Sequence, residues 1–247
     1  VTVYQNDFAS IDTSNTSQGY VMVKYNGTNE KVKLQITCPD QSCYTYLISD
    51  RGAYDTFPLT AGNGSYALQV LENVAGDTYT VSLAQSINVS IEDEFLPFLY
   101  PNQYVNFHTD SKAVSKGSDL AKDTYSDLDV VQNIYNYVIK NISYDTEKAQ
   151  NVSYGYVPDI DDTLSSKKGI CFDYAALMTS MLRSQNIPTK LEVGYSGDAY
   201  HAWISTYIDD KGWVDDIIQF NGNTWQIMDP TLAATNDSAA VQKYVGN

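Results

Sequence analysis

Three side chains able to do covalent and proton-transfer chemistry stand where a fold would present them. Cys171 lies in Lys168-Gly169-Ile170-Cys171-Phe172-Asp173-Tyr174-Ala175, between a glycine and the first turn of a helix. His201 opens the strand-like run His201-Ala202-Trp203-Ile204-Ser205, and Asp229 closes Trp225-Gln226-Ile227-Met228-Asp229-Pro230-Thr231, where a short strand meets a proline turn. A thiol at a helix N-terminus meets unpaired backbone N–H groups and the positive end of the macrodipole, which lower its pKa and favour the reactive thiolate. The amide of Cys171 would then face any oxygen that gains charge after attack. An imidazole brought to that thiol serves as general base and then general acid, and a carboxylate on the neighbouring strand orients it through the second ring nitrogen. Taken singly, Cys171 reads equally well as a small buried hydrophobe, and His201 as an ordinary core or surface histidine.

The elements that must position these groups are constrained by composition. The chain has 247 residues, 43 % of them apolar, enough for one large domain or two small ones. With 15 basic and 30 acidic residues the net charge is −15, a field that repels phosphate backbones and anionic lipid, so no nucleic-acid partner is expected. No apolar run reaches the length of a transmembrane span, and Val1-Thr2-Val3-Tyr4-Gln5 lacks the basic and apolar regions of a signal peptide. The 21 tyrosines, interleaved with Asn, Ser, Thr and Asp, suit an extracellular or cell-surface protein, read here as a mature form without its export signal or anchor.

Cys38 and Cys43 bracket the turn-forming Pro39-Asp40-Gln41-Ser42 and are expected to close a disulfide across a hairpin. No further cysteine pair or histidine accompanies them, so no metal site is expected there. Asp159, Asp161 and Asp162 lack the spacing and glycine of a calcium loop and read as turn and cap residues. No cofactor is expected. His108, without a motif around it, reads as a surface or interdomain residue, and Asp209-Asp210 and Asp215-Asp216 as solvated loop charges.

Residues 1–94 alternate with period two, as in Val21, Val23 and Tyr25, Val32, Leu34 and Ile36, or Tyr66, Leu68 and Val70, which predicts a small all-β sandwich. Residues 95–124, rich in Phe and Pro at their start, form a connecting segment. Residues 125–247 form the catalytic domain. There Ser126 caps a helix whose apolar residues Leu128, Val131, Ile134, Val138 and Ile142 recur at helical spacing. A second helix, apolar on most sides, runs from Cys171 to about Ser184, before Pro188. Strands follow over 190–195, 201–208 and 225–228, making the whole an α+β chain.

Gly169-Ile170-Cys171-Phe172-Asp173-Tyr174-Ala175, His201-Ala202-Trp203 and Asp229-Pro230-Thr231, in this order, resemble the three-block signature of the transglutaminase-like superfamily of papain-like cysteine enzymes. Met181-Leu182-Arg183-Ser184-Gln185-Asn186-Ile187-Pro188 followed by Gly194-Tyr195 resembles its bacterial branch, and the chain is similar to exported transglutaminase-domain proteins of Gram-positive bacteria. The resemblance spans roughly 125–232. It implies a papain-like domain in which Cys171 is nucleophile, His201 acid/base and Asp229 its orienting residue. Asp173 and Trp203 would support the site. The family's upstream oxyanion donor would fall to Tyr144 or Tyr156. The implied chemistry is acyl transfer on amides through a thioester, with a peptide or protein substrate, cell-wall associated in the exported branch. Water as acceptor makes a peptidase or amidase, the outcome favoured here. A lysine amine makes a crosslinking transferase, and a chain that has lost activity makes a surface-binding module.

Overall fold

The structure is a computed structural model and describes residues 2–228. The chain divides into two compact units, Val1–Pro97 and Phe98–Asn247. The architecture is mixed α+β, with an N-terminal β-sheet region and a later helix–sheet region.

In the first unit, β1 (Val3–Gln5), β2 (Ala9–Asp12), β3 (Tyr20–Tyr25), β4 (Val32–Thr37), β5 (Cys43–Leu47), β6 (Asp55–Pro58), β7 (Gly64–Ala75) and β8 (Thr78–Val89) form two four-stranded antiparallel sheets. Their orders are β1-β2-β3-β6 and β5-β4-β7-β8. Period-two alternation drives the pairing: Val21, Val23 and Tyr25 on one sheet and Leu34, Ile36, Tyr66, Leu68 and Val70 on the other are fully buried. Tyr46 of β5 tilts against Phe57 of β6 with ring centroids 5.1 Å apart, joining the two layers.

The hairpin between β4 and β5 corrects the disulfide expectation. Its register sets Cys43 opposite Thr37, not opposite Cys38. Successive residues of a strand face opposite ways, so Cys38 turns into the core and Cys43 out to solvent, and both are free thiols. Strand β8 is exposed at Val81 and buried at Ile87 and Val89.

The second unit is built around one helix. Its helices are α1 (Lys112–Ala121), α2 (Asp127–Asn141), α3 (Thr146–Asn151), α4 (Ile160–Ser166) and α5 (Cys171–Ser184), and β9 (Ser143–Tyr144) runs parallel to β10 (Lys168–Gly169). A four-stranded antiparallel meander follows: β11 (Thr189–Ser196), β12 (Ala199–Ile208), β13 (Gly212–Phe220) and β14 (Trp225–Ile227). Every residue of α5 from Cys171 to Arg183 is buried, against α1, α2 and α4 and against β11 and β12. Side chains such as Leu177, Met178 and Met181 each contribute about 1.5–3 kcal/mol by leaving water. Helix α1, within the segment read from the sequence as connecting, crosses α5 closely: a Cβ on Gly117 would lie 3.2 Å from the Cβ of Met181 and 3.3 Å from its backbone.

The expected caps form. Ser126 accepts the Asp129 amide at 3.2 Å and Asp159 that of Asp162 at 3.0 Å, while Asp161 accepts the amides of Lys112 and Ala113 that open α1. At the far end of α5 the buried Arg183 guanidinium donates to the carbonyls of Thr189 and Tyr100 at 2.7–3.0 Å, and burial draws its pKa down to about 9. Strand β13 was not legible beforehand. Asp215 and Asp216 sit in a bulge opposite Ser205, with Asp216 at φ 52° and its amide donating to the Ser205 hydroxyl, so they are strand residues and not a loop. His108 is exposed. No helix among the described residues is long and apolar enough to cross a membrane.

Two outcomes follow from this packing. Intact mass of the unreduced protein is expected to match three free thiols, with Cys43 modified by a thiol reagent well before Cys38; a mass short by a pair of hydrogens would contradict the hairpin register. Leu177→Ala is expected to cost about 2–5 kcal/mol in urea unfolding, since it empties a fully buried position of the central helix.

Candidate active site

Ile170 holds extended backbone at φ −89°, ψ 174°, and Cys171 is the first residue of α5. What fixes this entry is Asp173. One of its carboxylate oxygens accepts the Ile170 amide at 2.9 Å, the reach-back of an N3 acid to the N-cap. The same oxygen lies 2.9 Å from the Lys148 ammonium, and the other accepts the Tyr156 hydroxyl. Gly169 is required by this arrangement, because a Cβ there would stand 2.7 Å from the Cβ of Asp173.

The Cys171 thiol is 3 % exposed. Burial pushes its pKa up to about 12, the Phe172 and Cys171 amides pull the other way, and the Asp173 charge adds to the rise. The sequence expectation of a lowered thiol pKa is therefore reversed: desolvation exceeds what the helix terminus offers. As placed, the thiol is protonated at neutral pH.

Aromatic rings wall this end of the helix. Tyr144 of β9 lies over Phe220 of β13 at 6.0 Å and 14°, Phe220 tilts onto Trp225 of β14 at 5.2 Å, and Trp225 stacks on Tyr174 of α5 at 5.5 Å. The Tyr174 hydroxyl donates to the Ile142 carbonyl at 2.8 Å, tying α5 to the end of α2. Tyr104 meets Phe172 edge-on at 5.0 Å, and Tyr195 meets Tyr200 at 5.1 Å. Tyr144 and Tyr200 both have pKa values raised by burial and further by the Cys171 charge, which places both hydroxyls in the field of the sulfur.

The predicted residues divide accordingly. Burial, and after it the Cys171 charge, raises the pKa of Tyr144, whose ring lies over Phe220. The Tyr156 hydroxyl donates to the Asp173 carboxylate. His201 stands on β12 next to Tyr200, opposite Gly194, and its ring stacks on Trp203 at 5.2 Å and 22°. Among the described residues it makes no hydrogen bond, to Cys171 or to any other group. Alternation sends Ala202 and Ile204 to the buried face and His201 and Trp203 to the other. Pairing of β12 with β13 runs to Ala202 opposite Phe220, and Gly222 just beyond β13 packs so closely that a Cβ there would stand 2.6 Å from the Cβ of Ala199. Asp229 lies outside the described residues. Sequence reasoning passed over Lys148, Tyr200, Phe220 and Trp225. Only Phe220 and Trp225 carried a usable signal, as inward positions of a meander whose third strand was missed. No group of three acidic, histidine or cysteine side chains among the described residues is set to hold a metal.

Residues 115–215, which include Cys171 and His201, match the family model described as the transglutaminase-like superfamily. The UPF0252 protein MJ1282 of Methanocaldococcus jannaschii is 30 % identical over 118 residues, covering 41 % of this chain and 34 % of that protein. Kyphoscoliosis peptidase of Mus musculus is 30 % identical over 107 residues, covering 38 % of this chain and 16 % of the peptidase. The chain thus spans about a third or less of the length of these relatives. A candidate cysteine protease from Cytophaga hutchinsonii, solved as a crystal structure, superposes with TM-score 0.42 at 15 % identity, over 87 % of this chain and 68 % of that one. A candidate protease from Parabacteroides distasonis gives 0.34 at 14 %, over 81 % and 61 %. Scores this low add no functional argument. The sequence matches place the segment at a distance from the transglutaminase-like cysteine enzymes, as a homologue at superfamily level.

Gly169→Ala is expected to destabilise the second unit by about 1–3 kcal/mol through overpacking against Asp173, read as a lower urea midpoint with the first unit's transition unchanged. A thiol whose folded pKa is raised favours folding fully below its unfolded pKa of about 8.5 and loses that contribution as pH climbs toward about 12. Stability is therefore expected to fall across that window, and less steeply in Cys171→Ala; equal slopes would contradict a buried thiol.

Proposed function

We propose that this chain is a cysteine acyl-transfer enzyme that opens amide bonds through a thioester on Cys171, with water as the principal acceptor. The observation that carries the reading is the position of Cys171 on the first turn of α5, with its amide at the open end of the helix. The superfamily match over the same segment supports it, and the peptidase among the relatives supports hydrolysis over transfer.

In this proposal His201 takes the thiol proton, and Asp229 orients the ring. The thiolate attacks the amide carbonyl carbon. The resulting oxyanion is met by the Cys171 amide and the Tyr144 hydroxyl. The imidazolium gives its proton to the departing amine as the C–N bond breaks, leaving a thioester. Water, deprotonated by the imidazole, attacks the thioester, and the acid leaves as the thiol regains its proton. Trp203 holds the imidazole by stacking. The proposed substrate is a peptide or protein at the cell surface or outside the cell, cell-wall associated, with the chain itself exported by a Gram-positive bacterium.

The burial of the Cys171 thiol, for which no hydrogen-bonded base stands among the described residues, favours a second reading, a surface-binding module that keeps the fold without turnover. An activated p-nitrophenyl ester separates the readings. The enzyme is expected to release nitrophenol with a thioester detectable on the Cys171 peptide, and Cys171→Ala and His201→Ala to lose at least about a hundredfold of the rate. A labelled primary amine added in the same assay is expected to leave most product as acid; predominant amide product would assign the transferase. Wild-type turnover no faster than Cys171→Ala would leave the binding module.

A further inference from the structure

Lys148 has no place in the mechanism above, yet it is the one cation held against the helix entry among the described residues. Its ammonium sits 2.9 Å from the Asp173 carboxylate, which is wholly buried, while its own side chain is 27 % exposed. It also stands 4.6 Å above the ring of Tyr156, the other side chain bound to Asp173. Helix α3, which carries Lys148, begins at Asp145. That carboxylate accepts the Lys148 amide at 3.0 Å, and the Asp145 amide donates to the Gly169 carbonyl at 2.9 Å. The short helix is thus fastened twice to the entry of α5, once through backbone and once through charge, directly after Tyr144.

We propose that Lys148 is a positioning residue for Cys171: its ammonium cancels the Asp173 charge two residues from the sulfur and holds β9, with Tyr144, against the entry of α5. A carboxylate with no counter-charge in this place would oppose a second negative charge on the neighbouring thiol. The Asp173 oxygens are answered by the Ile170 amide, the Tyr156 hydroxyl and Lys148, and only Lys148 brings a full positive charge. The groups facing the sulfur are Asp173 on α5, Tyr144 on β9 and Tyr200 on β12, with Tyr104 next to Tyr200. None of these brings a positive charge to Asp173, and Lys148 is the cation that answers it. The inference rests on Cys171 as the reactive thiol, but not on turnover or on His201.

The test reads the thiol directly, without substrate. Alkylation of the Cys171 peptide by iodoacetamide is followed by mass spectrometry between about pH 7 and pH 10, below the midpoint of the buried thiol, where the rate scales with the thiolate fraction and so reports any shift of that midpoint, with thermal unfolding run alongside. Lys148→Met is expected to shift the alkylation midpoint upward by about one pH unit, so that labelling at a fixed pH slows about tenfold. Lys148→Arg, which keeps the charge, is expected to stay within about twofold of wild type. The double variant Lys148→Met with Asp173→Asn removes both charges and is expected to recover the wild-type midpoint. A purely structural lysine would not show that recovery. A midpoint unmoved in Lys148→Met, or moved and not recovered in the double variant, overturns the proposal. Because no turnover is read, an inactive protein with the expected midpoints would sink the proposed activity and leave Lys148 in place.

Discussion

Everything around the candidate nucleophile depends on one buried carboxylate. Asp173 has no exposed surface, and a charge removed from water must be met by donors on the spot. Three separate pieces of chain supply them: the Ile170 amide before α5, Lys148 on α3 and Tyr156 beyond it. Satisfying Asp173 therefore fixes where α5 begins, how β9 lies beside β10, and where the thiol points. The close approach of Gly169 follows from the same demand.

The second constraint is the burial of α5. A helix hidden on every side must be closed at both ends by something other than water. At its start Asp173 does this. At its finish the Asn186 and Ile187 amides and the Ser184 hydroxyl donate to the carbonyls of Arg183, Leu182 and Met181. Between them the helix forms the axis on which the meander packs. The stack from Tyr144 through Phe220 and Trp225 to Tyr174 joins β9, β13, β14 and α5 at the cysteine end. The same burial sets the chemistry: a thiol so enclosed stays protonated unless a cation shares the site.

How much of this the sequence announced depends on the kind of signal. The strands of the first unit and the buried character of α5 were legible because they rest on periodicity, as in Leu34 and Ile36 or in the run from Cys171 to Leu182. The caps at Ser126 and Asp159 were legible because those residues bond their own neighbours. The disulfide was misread because a hairpin register differing by one residue places Cys38 and Cys43 on opposite faces. Strand β13 was missed because Asp215 and Asp216 look like a turn, and the bulge that admits them is a product of pairing with β12. The contacts of Tyr156 and Lys148 were not legible for one reason: their partner Asp173 lies 17 and 25 positions away, and no local pattern encodes that contact. The thiol pKa went the wrong way because desolvation, unlike the helix terminus, cannot be read from spacing.

The central claim is that Cys171 is a nucleophile activated by His201, and the most direct measurement is the rate of Cys171 alkylation by iodoacetamide at about pH 6. An ordinary thiol is well under about 1 % ionised there, and the thiol as placed is ionised less still. The account predicts labelling that is much faster in the wild type than in His201→Ala, because the imidazole removes the proton as the sulfur attacks. Slow labelling that is the same in both proteins would contradict it.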